Sequence, residues 1–176
     1  VVDWGDVYFD PGRPQDVPDA ITAAFAGILA SGAAPLALGG DHFISFPILR
    51  ALHALHGPLA LVHFDAHSDT WRDADGRIDH GTMFFHAARL GCVDPACSIQ
   101  LGMRTHNAET HGFRVLDARE LHAQGVDAAI AAVRERVGGR KCYVTFDVDF
   151  LDPAFAPGTG TPVVGGFSTH EALRLV

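Results

Sequence analysis

"PLALVHFDAHSD", residues 58–69, joins two different patterns. Its first half, Leu59 to Phe64, is a near-continuous apolar run of the kind that forms a strand buried on both faces of a parallel sheet. Its second half sets Asp65, His67 and Asp69 at alternate positions. Alternate residues of a strand point to the same side, so the three side chains converge if the strand persists to its tip. A solvated turn rich in Asp and Ser accounts for the same triplet, and the stretch alone leaves the choice open.

Outward from this stretch, short apolar runs alternate with helical patterns. Residues 16–32 read as a helix stopped by Gly32, "PLALGG" (35–40) as a short buried strand, and "SFPILRALHALHG" (45–57) as a helix closing at Gly57. Further on, "HGTMFFHAARLG" (80–91) and "VDAAIAAVRERVGG" (126–139) read as helices. "CSIQLGMR" (97–104), "GFRVLD" (112–117) and "KCYVTFDVD" (141–149) read as strands. "STHEALRLV" (168–176) opens a last helix, with Ser168 and Glu171 spaced as a capping box. Apolar strands separated by helices predict an α/β fold, a three-layer sandwich around a mainly parallel sheet. No repeat or linker divides the chain, so residues 1–176 are expected to form a single domain. The chain opens on Val and stops within a helical pattern, so the domain is expected to be truncated, incomplete at both termini.

Composition narrows the function classes. The formal charge is −8 and no basic run occurs, so neither nucleic acid nor an anionic membrane is an expected partner. An acidic chain suits a cationic substrate, although ordinary surface charge explains it equally well. Three cysteines, Cys92, Cys97 and Cys142, make neither an even disulfide set nor paired zinc hooks, which points to reduced thiols and a cytoplasmic location. No apolar stretch is long enough to span a bilayer.

Three strand-like runs end alike. "PLALGG" leads into Asp41 and His42, "PLALVHF" into Asp65, His67 and Asp69, and "CYVTF" into Asp147 and Asp149. Parallel α/β sheets bind ligands outside the carboxyl ends of their strands, so all three clusters fall on one side of the domain. Carboxylates crowded together repel unless cations lie among them. Five carboxylates and two histidines exceed one coordination sphere, which favours two ions over one. Oxygen-rich ligation with some imidazole suits Mn²⁺, and hydrolysis is the natural chemistry of paired ions.

"LGGDHFISFP", "LVHFDAHSD" and "TFDVDFLDPAFAPGTGTPVVGG" resemble, in order, three signatures of the ureohydrolase family, which includes arginase and agmatinase. "DHGTMFFHA", "LGMRT" and "GFRVLDA" are most similar to the bacterial agmatinases in that family. The resemblance implies an arginase/deacetylase-like fold and two Mn²⁺ per subunit. It implies His42, Asp65, Asp69 and Asp147 as ligands of one ion, and Asp65, His67, Asp147 and Asp149 as ligands of the other. Asp65 and Asp147 would bridge, and Asp41 would orient a ligand rather than be one. The implied reaction is cleavage of agmatine to putrescine and urea by a metal-bridging hydroxide. The implied partner is a small cationic guanidino substrate, in a full-length protein expected to be a homo-oligomer.

His80, in "DHGTMF", matches the family histidine that carries a proton to the departing amine, a task suited to imidazole. Without the match it reads as a water-facing residue at a helix start. Thr159 and Gly160, in "PGTGTP", match a loop beside the substrate pocket and also make a rigid turn. His63 reads as a satisfied core residue, and His53, His56, His86 and His122 as surface residues on helices or their ends. Trp71 could line the substrate entrance. The resemblance implies that the glutamate which binds the guanidinium in the family would lie in a segment beyond Val176. "DGRIDHG" (75–81) lacks the Ser and Asn by which arginases grip an α-amino acid, which favours an amine substrate. Guanidinobutyrate, guanidinopropionate and a metal-binding chain without catalysis stay open as alternatives. A deacetylase would need a placed tyrosine and paired histidines, and a binuclear phosphoesterase a later Asn-His cluster; neither pattern is present.

Overall fold

Four parallel strands form the sheet of the computed structural model, which describes residues 1–72 and 75–176. β1 (Ala60–Phe64) pairs on one side with β2 (Ile99–Leu101), which pairs with β3 (Arg114–Leu116). On its other side β1 pairs with β4 (Cys142–Phe146), giving the order β3-β2-β1-β4.

The apolar run of β1 is continuous because both of its faces are covered. Leu59 and Leu61 join Ile21 and Phe25 of α1 (Val17–Ala30), Ile48, Leu49 and Leu52 of α2 (Ser45–His56), and Phe84 of α3 (Met83–Arg89). The alternate residues Ala60, Val62 and Phe64 face the opposite layer. There they meet Leu121 of α4 (Ala118–Gln124), Ala129 of α5 (Val126–Val137) and Ala172 of α6 (Thr169–Leu175). Period-two side-chain direction thus makes three layers from one strand.

Local chemistry sets the helix ends. The α1 helix carries a proline in its first turn and ends at Ser31 before Gly32, whose φ is 79°. Gly57 closes α2, with its N–H on the His53 carbonyl. Ser168 and Glu171 make the anticipated capping box at α6, each side chain satisfying the other's backbone N–H. The helix α4, capped by Asp117, is set down directly after β3.

One expected strand does not form. Residues 35–40 pair with no strand among the described residues, and Leu36 and Leu38 are largely exposed. The sequence pattern requires an apolar run, but a strand also requires a neighbour to complete its ladder. β4 shows the same edge: β1 is its one strand partner among the described residues, and Val144 and Phe146 are exposed.

The chain runs from β1 outward to β2 and β3, then crosses back to place β4 on the far side of β1. The crossovers lie on opposite faces, so the carboxyl ends of β1 and β4 flank the point where the winding reverses. Open α/β sheets bind ligands at such points. Backbone bonds carry the ladder past both strand ends, from Asp65 N–H to the Leu101 carbonyl and from Asp147 N–H to the Phe64 carbonyl.

Gly102 sits beside this edge with φ 89°, where a Cβ would lie 2.5 Å from the Phe150 ring and 3.0 Å from the Asp65 carbonyl oxygen. Phe150 cannot yield easily, since it is fully buried and stacked on Phe167 at 4.5 Å. Gly102→Ala should destabilise the fold by about 2–4 kcal/mol, through a left-handed alanine and a displaced ring. Urea unfolding measures this, and a loss below about 1 kcal/mol would show that the ring moves aside freely.

Candidate metal centre

Asp65 is the hub of the strand ends and is almost fully buried. Its Oδ1 accepts the His67 backbone N–H at 2.6 Å, and its Oδ2 lies 2.8 Å from His63 Nε2. His42 arrives from a short 3₁₀ turn, His42–Ile44, capped by Asp41, whose Oδ1 accepts the Phe43 N–H. Its Nε2 is 2.8 Å from Thr145 Oγ1 on β4, which aims Nδ1 at the carboxylates. That Nδ1 lies 3.1 Å from Asp65 Oδ2, 3.1 Å from Asp69 Oδ2 and 3.2 Å from Asp147 Oδ2. On the other side of Asp65, His67 Nδ1 is 3.4 Å from Asp65 Oδ1 and 3.0 Å from Asp149 Oδ2.

The backbone holds each carboxylate in place. Asp69 has φ 52°, uncommon for a residue with a Cβ, and its carbonyl accepts the Phe84 N–H at the start of α3. Asp149 Oδ1 accepts the Ala66 N–H, and its Oδ2 accepts the Thr161 hydroxyl. Asp147 caps the turn Val148–Phe150 through the Asp149 N–H. Arg104 donates to the carbonyls of Asp149, Leu151 and Val163, clipping this turn to the loop that contains Thr159, Gly160 and Thr161.

All six side chains named as ligands in the sequence therefore converge here. Among the described residues, two groups have ligand atoms close enough to surround an ion: His42, His63, Asp65 and Asp69, and Asp65, His67 and Asp149. Asp147 belongs to neither group, though it faces His42. His80 stands apart and exposed, its Nδ1 3.4 Å from Asp41 Oδ2. Together with Trp71, Thr159 and Gly160 it lines the cleft into which the carboxylates open. His63 is the satisfied core residue expected, with both ring nitrogens engaged. His86 is buried, against expectation: its Nε2 meets the Arg77 carbonyl, a contact between α3 and the segment before it that helical periodicity does not reveal. The roles of Thr145, Thr161 and Arg104 escaped the sequence, because a lone Thr or Arg at a strand end carries no distinctive spacing.

The donor set fits a divalent cation. His42 Nδ1 is a buried nitrogen with no well-formed hydrogen bond, surrounded by three carboxylate oxygens. Without a cation, protons must supply the missing positive charge. Burial opposes an imidazolium at His42, but the nearby carboxylates of Asp147, Asp65 and Asp69 outweigh it and push the pKa up to about 12. Asp149 and Asp65 raise His67 to about 10. Burial raises Asp69 to about 6.

Both histidines therefore carry a proton to donate at pH 8, and each must lose it to ligate a cation. Loading the cation-free protein at pH 8 should release about two protons, and affinity should rise with pH, steeply up to about 10 and less steeply on towards about 12. Calorimetry in buffers of different ionisation enthalpy counts those protons. A release near zero would mean that these imidazoles are not ligands.

A family model described as the arginase family matches residues 1–176. The agmatinase of Photorhabdus laumondii subsp. laumondii is 52% identical over 177 residues, a match that covers all of this chain and 57% of the relative. A crystal structure described as a hypothetical agmatinase from Burkholderia thailandensis superposes with TM-score 0.96 at 48% identity, over 99% of this chain and 55% of that one. Proclavaminate amidino hydrolase from Streptomyces clavuligerus superposes with TM-score 0.93 at 44% identity, over 99% of this chain and 61% of its own. The chain thus spans little more than half the length of these relatives. With its strand-end cluster and the family match over its whole length, this chain belongs to the arginase family.

Proposed function

We propose that this chain forms the metal-binding half of a ureohydrolase active site, acting on a guanidino compound and most plainly on agmatine. The observation that carries the reading is the buried carboxylate cluster, with His42 Nδ1 among three acidic oxygens and His67 Nδ1 between two. His42, Asp65, Asp69 and Asp147 would hold one divalent ion, and Asp65, His67, Asp147 and Asp149 the other. The oxygen-rich set favours manganese. When bound, such a pair acidifies water for attack at neutral pH and offsets the negative charge that develops.

The chain's own residues would do the rest. Hydrolysis adds water across one C–N bond: oxygen joins the guanidinium carbon, and a proton passes to the departing amine. His80 would make that transfer, and its exposed position at the cleft wall with Asp41 beside its ring supports the role. The carboxylates and Asp79 make the cleft attractive to a cation. The 1810 Å³ of this cleft far exceeds a small substrate, because it runs along the open edge of β4 to Leu36 and Leu38. Arg72 and Arg77 are paired with Glu109 and Asp79, which weighs against either serving as a receptor for a substrate carboxylate. The relatives named agmatinase support the amine substrate over guanidino acids.

Urea release from the full-length gene product, loaded with Mn²⁺, should be greatest with agmatine in a panel containing arginine, guanidinobutyrate and guanidinopropionate. Preference for a guanidino acid would redirect the substrate assignment, and no urea from any of them would refute the reaction. His80→Ala should lower turnover roughly 10²–10⁴-fold, with metal content intact. Unchanged turnover would return His80 to the role of a solvent-facing residue.

A further inference from the structure

His63 belongs to one of the two groups that could surround an ion, yet both of its ring nitrogens are already engaged. Nε2 is 2.8 Å from Asp65 Oδ2, and Nδ1 is 3.0 Å from Gln100 Nε2. The sheet register creates this contact: Thr145 of β4, His63 of β1 and Gln100 of β2 are direct neighbours across three strands. Thr145 touches His42, and His63 touches Asp65, so the row lies beneath the metal centre.

Gln100 settles where the ring hydrogen sits. Its Nε2 also lies 2.6 Å from the Ser68 carbonyl oxygen, which can only accept. The amide therefore turns its NH₂ towards both Ser68 and His63, and His63 Nδ1 must accept. The hydrogen on Nε2 then points at Asp65 Oδ2. Each Asp65 oxygen now receives one hydrogen bond, Oδ1 from the His67 backbone and Oδ2 from His63. A carboxylate oxygen has two lone pairs, so one is left on each. Oδ2 faces His42 Nδ1 at 3.1 Å, and Oδ1 faces His67 Nδ1 at 3.4 Å.

We propose that Gln100 and His63 are positioning residues of the metal centre. The amide selects the ring tautomer, and the ring turns Asp65 so that each oxygen serves a different ion. The proposal rests on the two-ion reading above. A ring with its hydrogen on Nδ1 would set a lone pair against Asp65 Oδ2 and rotate the carboxylate, and the ion beside His42 would lose most.

Two measurements on the full-length gene product test it. Long-range ¹⁵N–¹H spectra of the cation-free protein should show His63 with hydrogen on Nε2 and a bare Nδ1, the ring being identified by its proximity to both Phe84 and the Gln100 amide, since His42 also lies against Phe84 but not against Gln100. Hydrogen on Nδ1, alone or together with Nε2, overturns the proposal. This spectrum uses the unaltered protein, so it holds even where a variant fails to fold. In Mn²⁺ titrations, Gln100→Leu should weaken one of two binding steps by about 10–100-fold and the other far less. Equal weakening of both steps, as a general loss of structure would give, or no weakening at all, overturns it. An unaltered protein that binds no Mn²⁺ refutes the two-ion reading and the positioning role with it, and the ring spectrum alone still reports the tautomer.

Discussion

Negative charge removed from water governs this structure. Asp65, Asp69 and Asp149 are all less than a tenth exposed, and they share two histidines. Two like charges 4 Å apart repel by about 4 kcal/mol at an effective dielectric of 20, so such a cluster persists only with positive partners or added protons. The surroundings answer this demand on every side. Backbone N–H groups of Ala66, His67 and Asp149 point at carboxylate oxygens, and the histidines are drawn towards imidazolium. A pair of divalent ions would answer it more completely, because two double charges balance four carboxylates where two protons balance half of them.

The sheet makes that crowding affordable by fixing the backbone first. Phe64 and Phe146 end adjacent strands in register, and the ladder continues one bond beyond each. The carboxylates that follow are thus carried on backbone already immobilised by its neighbours. The apolar layers on both faces give that backbone no freedom to relax, and Gly102 lets Phe150 press against the same edge.

Much of this was legible in the sequence where a repeating pattern met a chemical one. The apolar run of residues 59–64 announced a strand covered on both faces, and the acidic endings of three runs announced a shared edge. The run at 35–40 failed as a strand because hydrophobicity reports only the wish to be buried, whereas a strand also needs a hydrogen-bonding neighbour. His86 misled for a related reason, since helical position does not reveal that the Arg77 carbonyl of the preceding segment will meet it. Gln100 was invisible: its meaning lies in a register with His63 that only the assembled sheet creates.

The pairing of β1 with β4 also dictates the order in which the site can come into being. His42, Asp65, His67 and Asp69 lie close together in the chain, whereas Asp147 and Asp149 join only after β2, β3 and the helices α3, α4 and α5 have been made. Closing so long a loop is entropically costly and slow compared with local turns and helices. A nascent chain therefore carries half of the ligand carboxylates well before it has the strand that completes the cluster, and in that interval a metal would find half a cage. Pulsed hydrogen exchange at the β4 amides would time the moment at which the two halves meet.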